Sequence, residues 1–299
     1  MRARLLIVAA LAAALVGCGG ASGGAERDQP LPTITIGTKN FTEQYILGEL
    51  YAQTLRRAGF RVVLKSDIGS SEIIDKALTA GSLDMYPEYT GVLLSEIAGD
   101  RRRLGTTRRT YLRAKAFAEA RGFTMLEPTP FSDSNALVVL PSFAAAHHLE
   151  SIADLKKLRG LTLGAFPEFQ TRFEGSLGLE SVYGVKDFRF VPLQLQDRYA
   201  SLDRHKVDVL AVFTTDGQLS SGRYRVLADP RNLFAFQNLA PLIRRDLARQ
   251  YGKRLTGPLD ALSRRLTTDV MRRMNAAVDL RGEKPAQVAA RFIRTGNAG

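Results

Sequence analysis

The sequence predicts an α/β fold built in two similar halves. Three observations carry that expectation. Short β-branched runs alternate with amphipathic helical stretches from Thr33 onward. The alternation occurs twice, on either side of a basic helical segment at about 101–121. The chain has 299 residues, 45% of them hydrophobic and 24% charged, which suits one large domain or two moderate lobes.

The first series opens with "TITIG" (33–37), a short strand. "KNFTEQYILGELYAQTLRRAGF" then reads as a helix. Asn40 is expected to cap it, with Glu43 three residues on as a capping-box partner. Ile46, Leu47, Leu50, Tyr51, Leu55 and Ala58 fall on one face, and Gly59 ends the helix. "RVVLKSDIG" is a second strand, "SSEIIDKALTAG" a second helix and "LDMYPEY" a third strand. Pro87 inside that strand predicts a strand end or a sheet edge. Alternation there puts Asp84, Tyr86 and Glu88 on one side and Leu83, Met85 and Pro87 on the other. Two carboxylates and two tyrosines at one strand exit suit a proton, a metal or a cation.

The second series begins with the strand "NALVVLP". "SIADLKKLRG" starts a helix, with Ser151 as cap and Asp154 as its partner. "LTLGAF", "DFRFVPL" and "VDVLAVF" are strands, and "EFQTRFEGSLGLESVYG" is mostly helical. The tail, 240–299, reads as helical throughout. A β-α-β series of this kind predicts mainly parallel sheets covered by helices.

Lys and Arg number 42 against 30 Asp and Glu, a formal charge of +12. The basic residues are scattered and often adjoin acids. The densest run, "RRRLGTTRR" (101–109), lacks interleaved aromatics and reads as a solvated loop, not a nucleic-acid surface. The N-terminus carries Arg2 and Arg4, then an apolar stretch from Leu5 to Val16, too short to span a membrane comfortably. It ends in "LVGC", which resembles a bacterial lipobox. This predicts a leader over 1–17, lipidation of Cys18 and a flexible tether over 18–32. Cys18 is the sole cysteine, so the mature chain holds no disulfide. No HExxH or P-loop motif is present, and the one GxSxG match, at 20–24, falls in the expected tether, which argues against an enzyme. His147 and His148 are adjacent and His205 sits in a polar turn, so neither a metal site nor a cofactor is expected.

In open α/β sheets, ligands sit beyond the carboxyl ends of strands. That rule selects "GTKNFTEQ", "YPEYTG", "FPEFQTR" and "FTTDG". These segments, with "ALTAGSLDMYPEYTG" and "LTTDVMRRMNAAVD", resemble the substrate-binding proteins of ABC importers for glycine betaine, carnitine and choline. The resemblance covers about residues 33–296, with the segments in family order. It implies the type II periplasmic-binding-protein fold, with two α/β lobes, a ligand cleft and a hinge. Lobe one would comprise 33–134 and 239–299, with lobe two, 135–238, inserted. It further implies an extracytoplasmic, lipid-anchored protein that traps a quaternary ammonium osmoprotectant and delivers it to a permease. The permease works with an ATPase, and no nucleic acid takes part.

A quaternary ammonium has no N–H to donate, so aromatic faces bind it through cation–π attraction. Carried over, the box would contain Tyr89, Phe213 and Phe236. Lys39 and Arg172 would meet a ligand carboxylate. Phe213, Phe236 and Asn135 stand where the family often has tyrosine, and Val92 where it often has threonine. Asp133 and Asn135 could instead bond a ligand N–H, which would suit a different small zwitterion or amine. A non-transport sensor lipoprotein on the same fold is a further alternative. Tyr89→Ala is expected to remove binding with little loss of stability.

Overall fold

The computed structural model describes residues 31–299 except 103, 235, 297 and 299. The leader, Cys18 and the tether up to residue 30 therefore lie outside the described residues. Leu31 already packs into a core, so the chain joins the fold two residues before the first strand.

The strands run in chain order from β1 (Thr33–Gly37), β2 (Arg61–Lys65) and β3 (Met85–Tyr89) to β4 (Phe123–Met125) and β5 (Asn135–Val139). They continue with β6 (Leu161–Ala165), β7 (Phe188–Pro192), β8 (Val209–Phe213), β9 (Arg225–Val226) and β10 (Leu239–Arg244). They form two five-stranded sheets, ordered β2-β1-β3-β10-β4 and β7-β6-β8-β5-β9. In each sheet the first three strands are parallel and the remaining pairings antiparallel. The sheets are thus mixed, less parallel than the sequence pattern suggests.

The principal helices are α1 (Thr42–Arg57), α2 (Ser71–Thr79), α3 (Thr107–Ala120), α4 (Pro141–His147) and α5 (Arg198–Asp203). The tail holds α6 (Arg245–Ser263, broken at Gly252), α7 (Thr268–Asp279) and α8 (Pro285–Thr295). The segment read as mostly helical between β6 and β7 is helical at Pro167–Gln170 and again, without a break, from Ser176 to Tyr183.

Helix α1 shows why this sequence folds locally as it does. Ile46, Leu47, Leu50, Tyr51 and Leu55 recur at helical spacing and are all fully buried. They meet Leu255, Leu259, Met271, Val288 and Phe292 from the tail helices. Burial of each such side chain stabilises by about 1.5–3 kcal/mol. The expected Asn40 capping box does not form: α1 starts at Thr42, with Phe41 at the cap position and no side-chain cap bond. Glu43 is buried instead, where it serves other donors described below. The Ser151–Asp154 box does form, with Ser151 N donating to Asp154 Oδ2 at 2.9 Å. Residues 107–109 of the expected basic loop belong to α3, and Thr106 Oγ1 accepts from Arg109 N at 3.2 Å.

Two strand expectations need correction. β3 is central, not an edge: it lies between β1 and β10 and all five residues are buried. Pro87 faces Pro241 across the β3–β10 pair. Arg244 N donates to Asp84 O, and Thr90 N to Asn238 O, so alternation makes the proline pair a non-hydrogen-bonded one. Neither missing N–H costs a bond there. The carbonyl of Pro87 is taken by Gln44 Nε2 at 3.2 Å. The second correction is β10 itself, a strand at the start of a tail read as all helix. Its run "LAPLIR" contains a proline that obscures a strand pattern.

The chain passes from the first sheet to the second after β4 and returns before β10. The two crossings touch through a bridge between Ser132 and Asn238. Asn238 Nδ2 donates to the carbonyls of Thr129 and Phe131 at 3.0 and 3.1 Å.

Candidate binding site

A cavity of ≈ 220 Å³ lies where the ends of strands from both sheets meet. Each segment chosen by the strand-end rule contributes. Lys39 and Phe41 follow β1, Tyr89 ends β3, Phe166 follows β6 and Phe213 ends β8. The structure brings six of the seven sequence-selected residues to it: Lys39, Tyr89, Asp133, Asn135, Arg172 and Phe213. Val92 also lines it. Phe236 does not; it is half-buried, and its carbonyl accepts from Thr90 Oγ1 at 3.2 Å.

The aromatic wall differs from the expected one. Phe41 and Phe166 complete it in place of Phe236. Ring centroids run Tyr89 to Phe41 at 6.3 Å, Phe41 to Phe213 at 5.3 Å and Phe213 to Phe166 at 5.6 Å. Both missed rings stand at carboxyl ends of parallel strands, inside segments the strand-end rule had selected. That position was their available signal.

The cations of the site are already engaged. Lys39 is 3% exposed, and its Nζ donates to Glu88 and lies 4.7 Å from the Tyr89 ring centroid. Burial pulls the Lys39 ammonium below its usual range, and Glu88 opposes that shift. Arg172 Nη2 donates to both oxygens of Glu72 at 2.9 Å, linking the second-sheet half to the start of α2. Arg172 Nε is buried and lies 3.9 Å from Glu96 Oε2. Glu72 takes only Nη2, so Nη1 keeps donor capacity for an anionic ligand group.

Two buried carboxyl groups share the cavity with these cations. Asp133 accepts from Thr215 Oγ1 at 2.7 Å. Its carboxyl is held well above the usual range by burial and then by the charge of Glu43. Asn135 Nδ2 is committed to the carbonyl of Glu174 at 2.8 Å, so its Oδ1 is the atom suited to accept from a ligand. Glu174 Oε2 accepts from Gln237 Nε2 at 2.5 Å, and Gln237 Oε1 accepts from Val92 N at 2.9 Å. Gly91 is required beside this chain, since a Cβ there would come within 2.5 Å of Gln237 Nε2. Nothing in the sequence singled out Glu174 or Gln237, because a buried carboxyl in a loop carries no periodic signature.

Burial pushes the Glu174 carboxyl up to about 8, with Glu96 adding to the shift. The sign follows from proton counting. Between the ordinary carboxyl value of 4.5 and about 8, the folded chain holds a proton that the unfolded chain has lost. Stability is therefore expected to fall as pH rises through that window and to level off above it. Glu174→Gln should flatten that fall, with a gain on the order of a few kcal/mol at pH 8. Urea unfolding from pH 5 to 9 checks this; parallel curves for the two proteins contradict it.

Tyr89 is 4% exposed and belongs to the first core. Its hydroxyl donates to Glu43 Oε1 at 2.7 Å. Tyr89→Ala would therefore cost about 3–5 kcal/mol of stability, which corrects the expectation of little loss.

The comparisons with known proteins follow this geometry. A family model described as the substrate binding domain of ABC-type glycine betaine transport system matches residues 32–295. A glycine-betaine-binding protein of Pseudomonas aeruginosa is 32% identical over 277 residues, covering 88% of this chain and 87% of its own. A crystal structure of a glycine betaine/carnitine/choline ABC transporter protein superposes with TM-score 0.72 at 24% identity, over 89% of this chain and 98% of that one. Lactococcal OpuAC, closed on glycine betaine, superposes with TM-score 0.66 at 16% identity, over 89% and 96%. These structural matches carry the type II periplasmic-binding-protein fold.

Proposed function

Since the chain belongs to the family of substrate-binding domains of ABC-type glycine betaine transport systems, we propose that its cavity captures a quaternary ammonium osmoprotectant of the glycine betaine, carnitine or choline type. The observation that carries this reading is the run of four rings, Phe41, Tyr89, Phe166 and Phe213, along one cavity. A cation without N–H donors gains from such faces what hydrogen bonds cannot give it. The protein binds solute and hands it to a permease; it transforms nothing.

The two lobes, 33–134 with 239–299 and the inserted 135–238, close on the solute about the paired crossings. Contacts from both lobes favour the closed state. Arg172 donates to a ligand carboxylate while keeping Glu72. Cys18, outside the described residues, carries lipid and holds the domain at the outer face of the cytoplasmic membrane. The "LVGC" sequence supports that anchor. Among the described residues no helix is long and apolar enough to cross a membrane.

A melting-temperature panel of glycine betaine, carnitine, choline and proline betaine tests the reading. Each ligand bound only by the folded state adds about 2.7 kcal/mol at a hundred times its Kd. No shift at millimolar concentration with any of them overturns it. Arg172→Ala should weaken glycine betaine by roughly tenfold more than choline, which lacks the carboxylate. Equal losses contradict the role given to Arg172.

Asp133 and Glu174 on the cavity wall favour a second reading, a zwitterion that presents an N–H donor. N,N-dimethylglycine, which retains one N–H when protonated, discriminates. It outcompetes glycine betaine in the second reading and loses to it in the first.

A further inference from the structure

Phe41 and Phe213 line a second cavity as well as the first, so their ring contact divides the cleft into two chambers. The second chamber, ≈ 230 Å³, differs sharply in chemistry. Its polar lining includes Glu43, Thr215, Asp216, Gln218, Asn275 and Asp279. Among the described residues lining it, Arg198 is the single cation. That guanidinium is committed to the carbonyls of Leu195 and Ala211 and to Asp216 Oδ2, at 3.1–3.2 Å. It also stacks 4.8 Å from the Phe213 centroid.

Asn275 gives the chamber its direction. It is 3% exposed, and its Nδ2 donates to Glu43 Oε2 at 3.1 Å and to Thr215 O at 2.9 Å. Those two acceptors fix the amide orientation and leave Oδ1 buried without a partner. Gln218 Oε1 is likewise buried and unpartnered. A buried acceptor left unsatisfied costs about 1–3 kcal/mol, which a bound donor would recover. Thus two residues with orphan acceptors and several carboxyl groups line a space whose one lining cation, among the described residues, is already committed. Among the described residues no set of His, Cys, Asp or Glu is grouped closely enough to hold a metal ion. Spaced acceptors of this kind fit a cation that carries several N–H groups on a rigid or compact frame.

We infer that the second chamber binds a hydrogen-bond-donating organic cation, of guanidinium or primary ammonium type, with Asn275 Oδ1, Gln218 Oε1 and the Glu43 carboxyl as its acceptors. Burial raises the proton affinity of Glu43 and of Asp279 above the ordinary carboxyl range, and an entering cation opposes that shift. The inference does not depend on what the aromatic chamber holds: Asn275 and Gln218 line the second chamber and not the first, and Glu43 is hydrogen-bonded to the first only through the Tyr89 hydroxyl.

The test is calorimetric titration of the whole chain with methylguanidinium chloride, alone and with saturating tetramethylammonium. Tetramethylammonium has no N–H and reports on the aromatic chamber. Methylguanidinium should bind in both cases, with little change in affinity. Asn275→Leu and, separately, Gln218→Leu should weaken methylguanidinium by about tenfold and leave tetramethylammonium unchanged. Gln218 makes no side-chain bond to the core acids, so its variant serves if Asn275→Leu fails to fold. Absence of methylguanidinium binding, its displacement by tetramethylammonium, or wild-type affinity in the folded variants overturns the inference. Failure of tetramethylammonium alone would count against the quaternary-ammonium reading and leave this one standing.

Discussion

Phe213→Ala should weaken binding of glycine betaine by roughly three- to thirtyfold, the span of one desolvated cation–π face. Phe213 is an inner ring of the wall, 5.3 Å from Phe41 and 5.6 Å from Phe166. Its removal takes one face from the ligand and loosens two others. It also opens the partition between the chambers, so water reaches the cation. The ring is half-buried at the end of β8, not in the centre of a core. The fold should therefore survive, which makes this a cleaner test than Tyr89→Ala. Phe213→Tyr keeps the face and should bind within a few-fold of the natural chain. Calorimetry with a parallel melting curve measures both. Unchanged affinity in a folded Phe213→Ala protein would take the ring out of the site.

A stability effect as large as that of Tyr89→Ala is expected at Lys39. Lys39 and Glu88 form a buried ion pair, with side chains 4% and 0% exposed. Glu88 also accepts from Tyr86 Oη at 3.1 Å and from Tyr89 N at 2.5 Å. Lys39→Met removes the cation and strands a carboxylate at the centre of the first sheet. Breaking one side of such a pair costs about 3–5 kcal/mol. For a chain of this size that lowers Tm by roughly 10 °C. Lys39→Met combined with Glu88→Gln should recover most of the loss, because the amide oxygen still accepts from Tyr89 N while the NH2 donates to Tyr86 Oη, whose own hydrogen keeps Asp75 as acceptor. If the double variant is no better than the single one, the pair is not what holds this region. The same geometry bears on ligand recognition. Both cations that line the cavity carry a carboxylate partner, Glu88 for Lys39 and Glu72 for Arg172, and the less buried Arg172, 14% exposed against 4%, is the freer to meet a ligand carboxylate.

The architecture was legible in the sequence wherever a strong period met a clean punctuation mark. β1, α1 with Gly59, β5, β6 and β8 follow that rule. β10 was missed because Pro241 interrupts its pattern and its partners lie far away in sequence. The position of Pro87 misled for a related reason. Whether a missing N–H costs anything depends on which register position faces it, and only the pairing reveals that. At the cavity, strand-end geometry selected segments that line it, and the resemblance chose residues within them. Tyr89, Phe213 and Arg172 reached the cavity; Phe236 did not, and Phe41 and Phe166 took part unannounced. The Asn40–Glu43 spacing imitated a cap because sequence spacing cannot tell a carboxylate turned back on its helix from one drawn inward by Tyr89 and Asn275. The link from Glu174 through Gln237 to Val92 is wholly tertiary, so no local pattern could announce it.

One consequence of β10 concerns the order of events during synthesis. The strand sits between β3 and β4, yet it is made only after the whole of the second sheet. A chain emerging N-terminus first therefore carries β3 and β4 with nothing to join them until Leu239 appears. Their inner edges stay open through that interval, and the closing contacts are among the most distant in the sequence. Such long-range closure is slow and leaves sticky edges exposed meanwhile. Pro87 does not blunt that waiting edge, because its missing N–H faces away from the β10 side.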